Sequence, residues 1–259
     1  TDLDSSLLDH NYNCDEAEPA LACLRELGLP LVLNSSKTVA EMKNLAMHLG
    51  LHSPLVAENG GLLAIPNEST GDYSVQIKGL PRKEILEAAH NLRCQMGYKF
   101  EGFADWSDQQ LAVRSGLSIT QSKLSRARLA TEPISWNDTE PQRLEFADQL
   151  GVLGIRMLRG GRFWHLMGAP DKADGIASAL EYYQEREPDT DWLVIALGDS
   201  ANDTAMLEAA DIAVVIPHAD GAHNSPKAPR VIHASFPASK GWNAAILLLL
   251  DECCEHCST

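Results

Sequence analysis

The strongest constraint on this chain is an alternation of short apolar runs and amphipathic helices that breaks off in the middle and then resumes. Residues 15–27 place Ala17, Ala20, Leu21, Leu24 and Leu27 on one helical stripe, which Gly28 ends. An apolar run follows at 29–33 and stops at Asn34-Ser35-Ser36. Thr38 caps the next helix, whose Val39, Met42, Leu45, Ala46 and Leu49 share a face before Gly50. Residues 54–57 read as a second buried strand, closed by Glu58-Asn59-Gly60-Gly61. Strand, helix and strand joined by tight loops imply parallel pairing and right-handed crossovers.

After about residue 72 the pattern changes. Residues 73–77 alternate like a half-buried strand, and 81–97 form an amphipathic helix. Polar helices are expected near 107–115, 118–130 and 140–150, with a strand-like piece at 98–103. Residues 152–158 and 162–167 flank Arg159-Gly160-Gly161 as a hairpin. The alternation then returns, with a helix from near Asp171, strands at 193–197, 212–216 and 231–234, a helix at 204–210 and a last helix at about 240–252. The expected fold is therefore α/β: a doubly wound, parallel-sheet (Rossmann-like) core interrupted by an α+β domain. The core is expected at 1–75 and 169–259, and the insertion at 76–168. A catalytic loop in an open parallel sheet is fed by a buried strand, yet nothing apolar precedes Thr1. Residues ahead of Thr1 are expected to complete that strand.

Charge narrows the partners. With 36 acidic against 21 basic residues, the chain carries a net charge of −15. Such a surface repels phosphate backbones and anionic lipid, which argues against nucleic acid or membrane as a partner. A small anionic substrate would need local cations, a metal or backbone N–H groups. The longest apolar run, 244–250, falls far short of the ~18 residues that a spanning helix requires. The chain begins acidic where a secretory leader is basic, so a cytoplasmic protein is expected. Half of the six cysteines crowd into Cys253-Cys254-Glu255-His256-Cys257. These are soft-ligand types, but adjacent cysteines diverge on a helix, and free thiols in a reducing compartment are the expected reading.

Chemistry enters through four separated pieces. Asp2-Leu3-Asp4 alone says little, since Asp189-Thr190-Asp191 repeats the pattern in an acidic chain. Its meaning comes from Gly198-Asp199-Ser200-Ala201-Asn202-Asp203, which follows directly on a strand, at the carboxyl edge where open α/β sheets bind ligands. Carboxylates gathered there repel one another unless a hard cation neutralises them. Mg²⁺ suits the role, because it takes oxygen ligands and keeps waters for a phosphate. Ser35, at a strand end just before a helix, can hold a phosphoryl oxygen with its hydroxyl and neighbouring N–H groups. Lys172 opens a helix, and its compact charge suits an oxygen of a transferring phosphoryl group.

In order, spacing and interruption these pieces resemble the haloacid dehalogenase superfamily of phosphotransferases, in its subgroup with a large α/β cap after the second motif. Asp2-Leu3-Asp4-Ser5-Ser6 stands for the first motif, with Ser5-Ser6 where the family carries Gly-Thr. Ser35, Lys172 and residues 198–203 stand for the second, third and fourth. Ser35-Ser36-Lys37-Thr38, Glu58-Asn59-Gly60-Gly61 and Gly160-Gly161-Arg162-Phe163-Trp164-His165 are similar to the mannosyl-3-phosphoglycerate phosphatases within it. The resemblance implies a Mg²⁺-dependent phosphatase of a small glycosyl phosphate, placed in compatible-solute (mannosylglycerate) synthesis. It implies Asp2 as nucleophile and Asp4 as acid and base. Mg²⁺ would lie on Asp2, the Asp4 carbonyl and Asp199, with Asp203 as a direct or water-mediated ligand. Ser35 and Lys172 would hold the non-bridging phosphate oxygens and Asn202 would orient that shell; Ser36 and Lys37 would also bind substrate, with Arg162 on the glyceryl carboxylate and His165 on the sugar or the carboxylate. Another sugar phosphate (glucosyl-3-phosphoglycerate or sucrose phosphate) and a catalytically silent sugar-phosphate binder are the competing expectations. The sequons at Asn34 and Asn202 fall inside this site, where a glycan would block it.

Overall fold

The computed structural model describes residues 1–67, 69–218, 220–221 and 224–256, with side chains as far as Glu252. The soft-ligand run at 253–257 lies outside the described side chains. The chain divides into two units, one of Thr1–Ser35, Ala46–Pro54 and Lys172–Thr259, the other of Ser36–Leu45 and Leu55–Asp171.

In the first unit the resumed alternation becomes a parallel sheet. Strands Ile195–Gly198, Ile212–Val215 and Arg230–His233 pair in register, with Ile212 opposite both Ile195 and Arg230. The ladder extends through the start of the chain. Asp2 N donates to Leu197 O at 2.9 Å, and Asn34 N donates to Thr1 O at 2.8 Å. Residues 1–2 thus lie between Ile195–Gly198 and the short strand Leu33–Asn34. Ile212–Val215 is buried along its whole length, as a strand covered on both faces must be. Ala213 and Val215 join Met206, Leu207 and Ala210 in one apolar cluster, against which Ile176 of helix Lys172–Arg186 packs. Helices Glu18–Glu26 and Ala238–His256 pack together, and Asn243 Oδ1 accepts the Ala20 N–H at 2.9 Å. Trp242 is fully buried and donates from Nε1 to Thr1 Oγ1 at 3.0 Å.

The second unit is α+β. Leu55–Ala57, Leu62–Pro66 and Tyr73–Ile77 pair antiparallel in sequence order. A further antiparallel sheet runs Phe100–Gly102, Thr131–Trp136, Trp164–Met167, Arg156–Arg159. Helices Arg82–Met96 and Glu140–Val152 bury Ile85, Ala89, Phe146 and Leu150 against Phe100, Ile134 and Leu166. The Phe146 ring lies 5.2 Å from those of Tyr98, Phe100 and Trp136. Ser107 and Ser118 each close a capping box, with Gln110 and Gln121, at the starts of helices Asp108–Ser115 and Ile119–Ser125.

The expected helix at 118–130 is shorter than its pattern, because the chain leaves it to enter the strand Thr131–Trp136. That strand is hard to see in the sequence. Its first residues are polar yet buried, and Glu132 is satisfied by Arg82 Nη2 at 2.6 Å and by the Ala104 N–H at 2.8 Å. Between Leu55–Ala57 and Leu62–Pro66, Gly60 holds φ +87°, and a Cβ there would meet Asp171 O at 1.8 Å. Only glycine fits. No helix among the described residues is long and apolar enough to cross a membrane.

Candidate active site

Asp2 is fixed by the ladder that its own N–H makes with Leu197 O. The chain then turns sharply: Leu3 O accepts from Ser6 N at 3.2 Å and from Leu8 N at 2.8 Å. The turn puts Ser5 at φ +61°, a region unfavourable to a residue with a Cβ. Replacing Ser5 by Gly is expected to raise stability by about 1 kcal/mol, read as a higher midpoint in urea; an unchanged or lowered midpoint would contradict this. The same turn carries the fully buried Ser6, whose Oγ donates to Asp199 Oδ1 at 3.2 Å.

The loop after Ile195–Gly198 is equally constrained. A Cβ on residue 198 would lie 2.6 Å from that of Asp203, so Gly198 lets Asp203 approach its own strand. Asp203 Oδ2 accepts from Asp199 N at 3.2 Å and from Ser200 N and Oγ at 3.1 Å each. Asn202 Oδ1 also lies within hydrogen-bond reach of Ser200 Oγ and shares its single proton with Asp203. Lys172, 1% exposed, opens its helix with its carbonyl accepting from Asn34 Nδ2 at 2.8 Å. Its ammonium donates to Asp2 Oδ1 at 2.6 Å and to Asp203 Oδ1 at 2.5 Å.

Two further residues in this unit were not singled out in the sequence. His218 Nε2 stands 2.8 Å from Asp199 Oδ2. Asn224 donates from Nδ2 to Ser200 O at 2.8 Å and accepts from Thr204 Oγ1 at 2.9 Å. The available signal for His218 was its place just past Ile212–Val215, at the same sheet edge as Asp199. Asn224 offered no such signal.

With Asp2, Asp199 and Asp203 all ionised, their charge would exceed that of the Lys172 ammonium by two, and the buried site resists that state. Burial, then the charge of Asp203, pushes the Asp2 carboxyl up to about 6. Burial, then Asp2 and Asp203, pushes Asp199 up to about 8. Burial opposes ionisation of Asp203 too, but the Lys172 ammonium holds that carboxyl below its ordinary range. Burial likewise works against the charge on Lys172, and Asp2 and Asp203 raise it above an ordinary lysine. Asp2, Asp199 and Asp203 offer ligand atoms all within 4.8 Å of one another. Oxygens around one Mg²⁺ lie roughly 3–4 Å apart, so the donor chemistry, the spacing and the surplus charge at full ionisation fit a hard dication.

The remaining expected residues are distributed between the units. Asp4 bridges through its main chain to Leu8, and Ser35 is buried at the end of Leu33–Asn34. Ser36 and Lys37 belong to the second unit, where their carbonyls accept from Arg128 Nη1 at 3.2 Å and Glu58 N at 2.9 Å. Arg162 is exposed, and His165 lies half-buried on Trp164–Met167, opposite Pro133 and Leu158.

A family model described as haloacid dehalogenase-like hydrolase matches residues 1–113. A Methanococcoides burtonii protein named glucosyl-3-phosphoglycerate/mannosyl-3-phosphoglycerate phosphatase is 34% identical over 97% of this chain and 96% of its own length. A Persephonella marina protein of the same name is 31% identical over 98% of each. Among solved structures, a Thermoplasma acidophilum protein superposes with TM-score 0.68 at 16% identity, covering 94% of this chain and 93% of its own. A haloacid dehalogenase-like hydrolase from Bacteroides thetaiotaomicron does so with TM-score 0.63 at 16% identity, covering 96% and 97%. At that identity the structures speak to the fold.

Proposed function

We propose, for a chain that belongs to the haloacid dehalogenase-like hydrolases and is a phosphatase of phosphoric monoesters, that it hydrolyses mannosyl-3-phosphoglycerate to mannosylglycerate and phosphate through an aspartyl-phosphate. The reading is carried by Asp2, Asp199 and Asp203 converging within 4.8 Å, with Lys172 against two of them. The glucosyl ester is the second reading, because the relatives at 34% and 31% identity are named for both.

Each residue then has a chemical task. An Asp2 carboxylate oxygen attacks phosphorus while the bond from phosphorus to the glycerate oxygen breaks, dividing one difficult displacement into two. Asp4 gives its proton to the departing oxygen. In the second half Asp4 takes a proton from water as the water oxygen attacks phosphorus, and phosphate leaves Asp2 free. Lys172 and Ser35 hold the non-bridging oxygens, Ser36 and Lys37 also bind substrate, and Asn202 steadies the Ser200 hydroxyl beside Asp203. Asp2, Asp199 and the Asp4 carbonyl would hold Mg²⁺, with Asp203 as a direct or water-mediated ligand, and its positive charge would let an anionic nucleophile approach an anionic phosphate. Residues 76–168 act as the cap, with Arg162 and His165 contacting the remainder of the ester, and the protein works in the cytoplasm.

The test offers the purified protein, with Mg²⁺, mannosyl- and glucosyl-3-phosphoglycerate, sucrose phosphate and simple hexose phosphates. Phosphate release is expected to be fastest from a glycosyl-phosphoglycerate. Faster release from sucrose phosphate or a hexose phosphate would reject the substrate. Thermal stabilisation by these esters without any release would identify a silent binder.

A further inference from the structure

The three carboxylates that converge in the first unit are not oriented alike. The Lys172 ammonium holds Asp2 Oδ1 and Asp203 Oδ1, and the Asp199 and Ser200 N–H groups hold Asp203 Oδ2. Asp199 is held by two side chains from distant parts of the same unit. Ser6 Oγ donates to its Oδ1 at 3.2 Å, and His218 Nε2 lies 2.8 Å from its Oδ2. The contact from His218 is the shorter. An ionised metal ligand has no proton to give, so in a loaded site the hydrogen of this contact belongs to Nε2 and Asp199 accepts it.

The imidazole starts from a fixed backbone. Ile216 N donates to Gly198 O at 2.9 Å, which ties the chain leaving Ile212–Val215 to the residue just before Asp199. His218 and Gly221 then exchange main-chain bonds, His218 N to Gly221 O at 2.9 Å and Gly221 N to His218 O at 3.0 Å, with Gly221 at φ +122°. Nor is this a surface ion pair of small consequence. The Asp199 side chain is 5% exposed, so little water is at hand to replace a lost donor.

We propose that His218 is a positioning residue for the metal site: its Nε2–H fixes the plane of the Asp199 carboxylate and so sets the site for Mg²⁺ over Ca²⁺. This rests on the reading above, in which Asp2, Asp199 and Asp203 hold a dication. Mg²⁺ demands near-octahedral oxygens at about 2.1 Å, whereas Ca²⁺ accepts roughly six to eight ligands in looser arrangements. A carboxylate free to swing serves Ca²⁺ nearly as well as a fixed one, and serves Mg²⁺ badly. Donors that hold a metal-ligating side chain from behind typically contribute about 10–100-fold to affinity.

The test measures dissociation constants for Mg²⁺ and Ca²⁺ in substrate-free protein, from the rise of melting temperature with ion concentration. His218→Ala is expected to weaken Mg²⁺ by ~10-fold or more and Ca²⁺ by less than about 3-fold. His218→Gln offers an amide N–H to the same oxygen and should bring Mg²⁺ back to within about 3-fold of the unaltered protein. Equal Mg²⁺ binding by all three proteins would overturn the proposal. A parallel loss of both ions in folded His218→Ala would do so too, by showing that His218 only supports its loop. Tighter Mg²⁺ binding in that variant would overturn it as well, since the imidazole would then be competing with the ion for Asp199. If the unaltered protein takes up neither ion, the dication reading falls and the proposal with it. Mg²⁺ binding that depends on His218, in a protein that hydrolyses no glycosyl-phosphoglycerate, upholds the proposal and rejects the substrate alone.

Discussion

Asp2→Asn is expected to lower phosphate release by ~10³-fold or more while the protein stays folded. The amide keeps the shape and one acceptor oxygen, but it cannot attack phosphorus. The main-chain bonds that place residue 2, to Leu197 O and from Asn34 N through Thr1 O, do not involve its side chain. Stability should respond in the opposite direction to activity when divalent ions are removed by chelation. Asp2, Asp199 and Asp203 crowd one buried volume, and two of the three carboxyls are displaced upward, to about 6 and about 8. Removing one charge relieves that repulsion, and Lys172 keeps Asp203 as a partner at 2.5 Å. The melting temperature of Asp2→Asn without divalent ions should equal or exceed that of the parent, and the rise on adding Mg²⁺ should shrink. A variant that turns over normally removes Asp2 from the chemistry. A variant that melts far below the parent under chelation shows instead that the Asp2–Lys172 pair outweighs the repulsion.

Lys172→Met should have the largest effect on stability. The side chain is 1% exposed, and its ammonium is placed against Asp2 and Asp203. Methionine fills a similar volume, so the change removes a charge rather than creating a cavity. What remains is a set of buried carboxylates without their cation, and breaking a buried pair in this way costs about 3–5 kcal/mol. Urea unfolding under chelation should show that loss, and Mg²⁺ should recover part of it by supplying positive charge to the same oxygens. Activity with Mg²⁺ should fall by ~10²-fold or more, since a cation aimed at phosphoryl oxygens acts most strongly in the transition state. An unfolding midpoint close to that of the parent would mean that the carboxylates are neutral or better screened than the geometry indicates.

Much of this arrangement was legible in the sequence because of where the charged residues stand relative to apolar runs. Asp199 follows a short buried strand, Lys172 begins an amphipathic helix, and Gly198 marks the sharp turn between strand and loop. Residues so placed share one edge of a parallel sheet whatever their separation along the chain. What escaped were residues whose burial is bought by polar partners. Thr131 and Glu132 lie deep inside the central strand of the second unit, and hydropathy cannot show it, since Arg82 and Thr131's own hydroxyl bonds make their burial possible. Leu62–Pro66 was lost for another reason. It begins directly after a turn whose Glu58, Asn59 and Gly60 all hold positive φ, with no polar spacer to announce a new element. His218 and Asn224 are single polar residues in loops, and only the folded chain brings them to Asp199 and Ser200.

The covalent step can be observed directly. Enzyme in excess over mannosyl-3-phosphoglycerate, with Mg²⁺, is quenched in acid within milliseconds, digested and mapped by mass spectrometry. A phosphoryl group should appear on the peptide that contains Asp2, rise and decay during the single turnover, and be missing from Asp2→Asn. A turnover that completes with that peptide unmodified throughout, or with the phosphoryl group on a different residue, would contradict nucleophilic attack by Asp2.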